Sequence, residues 1–140
     1  MYMPIWIMYW FPFILPINYG IKFAIINILL WILKKAMNIY NIYSMMTAIK
    51  IFCFTVVAEL VGLAIFYVFE GNTATDFYYG NYFSFCLLAF ICAIILNFIL
   101  NYIFVLRKFS VSTKQKFILT ISVVIVTAPY LFLLPGGFVY

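Results

Sequence analysis

The chain has 140 residues, 69% of them apolar and 8% charged, with eight Lys or Arg against three acids and no histidine. Soluble domains carry about 25% charged residues, so this composition excludes an ordinary water-soluble globule. It also removes most of the raw material for acid–base catalysis or metal binding, since only Glu59, Glu70 and Asp76 are carboxylates.

The first residues, Met1 to Pro16, lack a basic segment and are not followed by a small-residue cleavage site, so they read as part of the mature protein. Pro12 and Pro16 do not sit quietly in a regular helix interior. Residues 1–13 therefore read as an aromatic interfacial segment, with Tyr2, Trp6, Tyr9 and Trp10 at headgroup level. The competing arrangement is one long, kinked helix starting near Ile5. A membrane-crossing helix needs about 20 mostly apolar residues, and four segments qualify. They run from about 14–33, 47–69, 82–106 and 117–134, the last ended by Pro135-Gly136-Gly137. None alternates like a strand, and each is longer than a barrel strand. The expected fold is an all-α integral membrane protein, a single membrane domain with four transmembrane helices in an antiparallel bundle.

The charges orient that bundle. Lys34, Lys35 and Lys50 flank the first connection, and Arg107, Lys108, Lys114 and Lys116 the third. The second connection, from Glu70 to Asn81, holds two acids and no base. Antiparallel helices put the basic connections on one side and the acidic one opposite. The positive-inside rule makes the basic side cytoplasmic and leaves both termini outside. The membrane expected is of bacterial plasma-membrane or organellar inner-membrane type. Nucleic-acid binding has little support on loops so short. The acidic outer loop reads as solvated, in preference to a weak cation site.

The eighth base, Lys22, is twelve residues before Lys34, which puts it ~18 Å from the basic boundary. Glu59 follows Lys50 by nine residues, ~13–14 Å from the same boundary. A lone charge at that depth is unfavourable by several kcal/mol, about 2.5 at the least, so Lys22 and Glu59 are expected to pair between the first two helices. Asn97 and Thr127 come to a similar depth on the third and fourth, and Asn101 shares a face with Asn97. Asn18 stands one turn before Lys22, and Thr55, Ala58, Glu59 and Gly62 share a face of the second helix. Ala58-x-x-x-Gly62 is a small-xxx-small pattern that permits close helix approach. Lys22, Glu59, Asn97, Asn101 and Thr127 thus form a candidate intramembrane polar layer. Its favoured reading is interhelical fastening. The alternative is a proton, ion or solute path around Glu59, for which a paired Lys and Glu alone would be a poor relay. Pro129 is expected to kink the fourth helix by freeing the carbonyl of Ile125, and Ser112 or Thr113 to cap its start.

Cys53, Cys86 and Cys92 lie in apolar runs without a CxxC pair and read as membrane-buried small residues. The sequence has no GxSxG, HExxH or Gly-rich phosphate loop. Asn97-Phe-Ile-Leu-Asn101-Tyr-Ile-Phe104 resembles the N-F-x-x-N…F signature of GtrA-like four-span proteins, which are linked to lipid-carried sugars. In that family the signature closes the second span and recurs near the C-terminus. Here it closes the third, and Gly136 to Tyr140 holds no second copy, so no function is carried across. The expected role is non-enzymatic, without cofactor or metal. Its partners would be the lipid bilayer and either partner subunits of a membrane complex or further copies in a homo-oligomer. A small transporter or channel using Lys22, Glu59 and Asn97 is the alternative, and a holin-like pore former a further one.

Overall fold

The computed structural model describes residues 14–39, 42–72 and 79–129, in which all regular secondary structure is helical. The aromatic N-terminal segment, most of the acidic connection and the last predicted turns of the fourth span lie outside the described residues.

Helix α1 runs Ile14–Met37 and finishes with Lys34 and Lys35 in its last turn, where cations oppose the negative helix end. Asn38 then adopts a left-handed conformation (φ 54°), a stop that Asn tolerates better than most residues. The short connection is pinned by Ile42, which is fully buried. Helix α2 (Met45–Asn72) starts where the Ser44 hydroxyl accepts the Thr47 amide at 3.1 Å. Helix α3 runs Tyr79–Leu100 and continues through a wide π turn, Asn101–Val105, into a 3-10 turn, Leu106–Lys108. Helix α4 is Thr113–Thr127, opened by a capping box in which Ser112 and Gln115 satisfy each other's backbone amides.

Three of these helices contain stretches long and apolar enough to cross a bilayer: Pro16–Met37, Met45–Phe66 and Ser84–Lys108. They indicate a membrane protein. Helix α4 is shorter, with 15 residues and a length of ~22 Å. Helix α4 stops at Thr127, two residues before Pro129, where a kink was expected. Ala128 is extended (ψ 143°), because the proline ring clashes with an α-helical conformation in the residue before it.

Helix α2 packs most extensively on α3, while α1 packs on α2 and α4, and α4 on α3. Two apolar clusters result. One joins the ends of all four helices through Leu33, Ile42, Ala48, Leu106 and Leu119. The other, toward the opposite end, joins α2 and α3 through Phe66, Cys86 and Ala89. Edge-on contacts of Phe52 with Tyr19 and Phe23 tie α1 to α2, and Phe98 meets Phe117 between α3 and α4. Outward faces are apolar, as Ile17, Ile28, Leu60, Ile95 and Ile125 illustrate. That is the arrangement a lipid solvent favours.

Several of the buried residues on α2 and α3 are small: Ala58 and Gly62 on one helix, Ala89 and Ala93 on the other. Small side chains let the backbones approach and gain dispersion contacts, the main apolar attraction between helices in lipid. Ala58→Leu is therefore expected to destabilise the protein by about 1–3 kcal/mol through overpacking. A lowered Tm in detergent with helix content preserved would be its signature.

Candidate functional site: a polar layer in the helix core

Lys22 points from α1 toward α2, and its ammonium Nζ forms an ion pair with Glu59 Oε1. The two side chains are only 12% and 9% exposed. One turn earlier on α2, the Thr55 hydroxyl donates to the Ile51 carbonyl at 2.8 Å and lies 3.3 Å from Asn97 Oδ1 on α3. Asn97 Nδ2 donates to Thr127 Oγ1 on α4 at 3.0 Å. Thr127 in turn donates to its own helix at the Val123 carbonyl, 2.7 Å away. Asn101 Nδ2 donates to both the side-chain and backbone oxygens of Asn97, at 2.6 and 3.0 Å.

The five residues singled out from sequence thus fall into two groups. Lys22 and Glu59 make one, and Asn97, Asn101 and Thr127 the other. Thr55 joins the second group and, through α2, stands ~6 Å along the helix axis from Glu59. Its signal in the sequence is its position, one turn from Glu59 on the same face. Thr120, also fully buried, bonds only locally to the Lys116 carbonyl. The connections run from helix to helix: α1 to α2 by the ion pair, α2 to α3 by Thr55 and Asn97, and α3 to α4 by Asn97 and Thr127. Such contacts fix helix register and rotation, because an amide or an ammonium has few satisfactory positions in an apolar core.

Asn101 has one further property. Its Oδ1 is fully buried and has no hydrogen-bond donor within the described residues, leaving an acceptor free inside the core. It opens the π turn, where Leu106 N–H is shared between the Asn101 and Tyr102 carbonyls. A cavity of about 300 Å³ between α3 and α4 is lined by Ile94, Ile95, Phe98, Ile121, Val124 and Ile125. Those side chains are apolar, and none belongs to the polar layer. Cys53 is exposed, Cys86 buried and Cys92 between the two, and all three are free thiols. Comparison with protein families, characterised sequences and solved structures finds no match to this chain.

Proposed function

We propose that the chain is a non-enzymatic, multi-pass membrane protein acting as an accessory or structural subunit of a membrane complex, or as a homo-oligomer. Its four helices form an antiparallel bundle, with α4 on the fourth crossing. The basic end faces the cytoplasm and both termini face away from it. One observation carries the structural reading. The buried polar groups engage one another across all four helices, so they fasten the bundle, while its outward faces offer apolar side chains to lipid or to neighbouring helices. Mild-detergent extraction followed by crosslinking tests it. The expected result is a discrete species larger than one chain, containing either a stoichiometric partner or several copies. A strict monomer that conducts ions in liposomes would overturn it.

A second reading, a small ion or solute transporter or channel, draws on the ionisable Lys22–Glu59 pair and, separately on α3, on the Asn101 oxygen that has no donor among the described residues. Ionisable residues at membrane depth are functional more often than not.

A further inference from the structure

The C-terminus of α1, the N-terminus of α2, the 3-10 turn after α3 and the N-terminus of α4 meet at one end, over a single apolar cluster. Seven of the eight basic residues belong to these segments. Glu59 stands against Lys22 and Glu70 in the last turn of α2, while Asp76 falls in sequence between α2 and α3. Among the described residues no carboxylate side chain balances this end.

Local helix energetics account for part of the cluster. Lys34 and Lys35, like Arg107 and Lys108, stand at helix C-termini, where the backbone dipole favours cations. Lys114 and Lys116 do not fit that account. They occupy the first turn of α4, where the dipole disfavours positive charge, and that turn holds no acid. Lys116 recovers one contact, donating to the Arg107 carbonyl at 3.3 Å. Lys114 is exposed. Among the described residues no anion offsets these charges, which leaves them open to an anion from outside the chain.

Two aromatic side chains mark where that anion would be. The Lys35 ammonium lies over the Trp31 ring at 3.8 Å, and Lys34 lies 5.8 Å from the Tyr43 ring centre. Both rings are half exposed, as Trp and Tyr are at the headgroup level of a bilayer. The anions of that level are lipid phosphates.

We propose that this end of the bundle is a binding surface for anionic phospholipid headgroups, with Arg107, Lys108 and Lys114 gripping phosphate at the α3–α4 turn and Lys34 and Lys35 doing so at the end of α1. The proposal rests on the membrane reading above, and the test separates the two. The full chain is reconstituted in nanodiscs of mixed phosphatidylcholine and phosphatidylglycerol, released, and weighed by native mass spectrometry to count retained lipids. Phosphatidylglycerol is expected to be retained preferentially. Each of Arg107→Gln, Lys108→Gln and Lys114→Gln should reduce that preference about five-fold. Lys114→Gln is the decisive single variant, because it removes an exposed charge that α4 itself does not favour, so the helix should fold at least as well without it. Equal retention of the two lipids, or an unchanged preference in Lys114→Gln, overturns the proposal. Carbonate extraction of native membranes forms the second arm. A chain released into the soluble fraction refutes the membrane reading. A chain that stays in the membrane yet shows no lipid preference refutes the headgroup surface alone.

Discussion

Replacing Glu59 with glutamine is expected to destabilise the protein by about 3–5 kcal/mol, the range found when one partner of a buried ion pair is removed. The loss comes from Lys22. Its ammonium is nearly enclosed between α1 and α2, so without the carboxylate it stays charged in an apolar surround or must give up its proton. The double variant Lys22→Met, Glu59→Met removes both charges and restores apolar packing of similar length. It should recover much of the stability, since well-packed apolar replacements of buried ion pairs are often neutral or better. Thermal unfolding in one detergent, compared across the wild type, Lys22→Met, Glu59→Met and their double, measures the coupling directly. Ion flux in liposomes, measured on these four proteins and on Glu59→Gln, distinguishes the two readings of the pair. A fastening predicts that stability falls with Glu59→Gln and returns in the double. A transport path predicts that flux is present in the wild type, is lost in Glu59→Gln at unchanged stability, and does not return in the double.

Asn97→Leu is expected to be the second most damaging change, at about 1–3 kcal/mol. Asn97 hydrogen-bonds to side chains of both α2 and α4, and its removal takes a partner from Thr55, Asn101 and Thr127 together. The effect is bounded from above because each of the three keeps a backbone carbonyl: Ile51 for Thr55, Val123 for Thr127, and residue 97's own for Asn101. It is also bounded by the modest strength of hydrogen bonds between helices in lipid, which average about 0.6 kcal/mol. Asn97→Leu should therefore lower the Tm and loosen the α3–α4 contact. Cysteine crosslinking between those helices would report it as a broadened set of reactive pairs. A Tm equal to the wild type would mean that the amide contributes nothing to holding α3 and α4 together.

Several features were legible in the sequence because they follow from one-dimensional spacing. The long apolar runs mark α1, α2 and α3, since a hydrocarbon solvent imposes both length and polarity on a crossing helix. Counting residues from the basic boundaries brings Lys22 and Glu59 to similar depths, and the geometry has them in contact. The i, i+4 spacing of Asn97 and Asn101 puts their amides on one face, where they bond. The end of α4 at Thr127 was legible in principle, because Ala128 precedes a proline. Helix α4 lacks a continuation among the described residues to hold its backbone through Pro129. The π turn had no signal: Asn101 to Val105 are ordinary residues for a buried helix, and the wide turn arises from how α3 must meet its neighbours. The free oxygen of Asn101 is equally invisible in sequence, because it depends on where the neighbouring side chains aim their donors: Asn97 at Thr127, and Thr55 and Thr127 at backbone carbonyls of their own helices.

The wide turn at Asn101–Val105 works as a phase shifter. A regular helix advances about 100° per residue, and the extra residue absorbed by a π turn rotates everything after it by about that much. Upstream, α3 turns Ala89, Ala93, Asn97 and Asn101 inward at every fourth position. Continuing that rhythm would bury Val105 and then Lys108 or Phe109. Instead, Val105 and Leu106 are both buried, while Arg107 and Lys108 stand exposed. One helix thereby meets two surroundings in succession: a core built for amides along most of its length, and a rim built for cations at its end. Neither stretch has to compromise its own spacing.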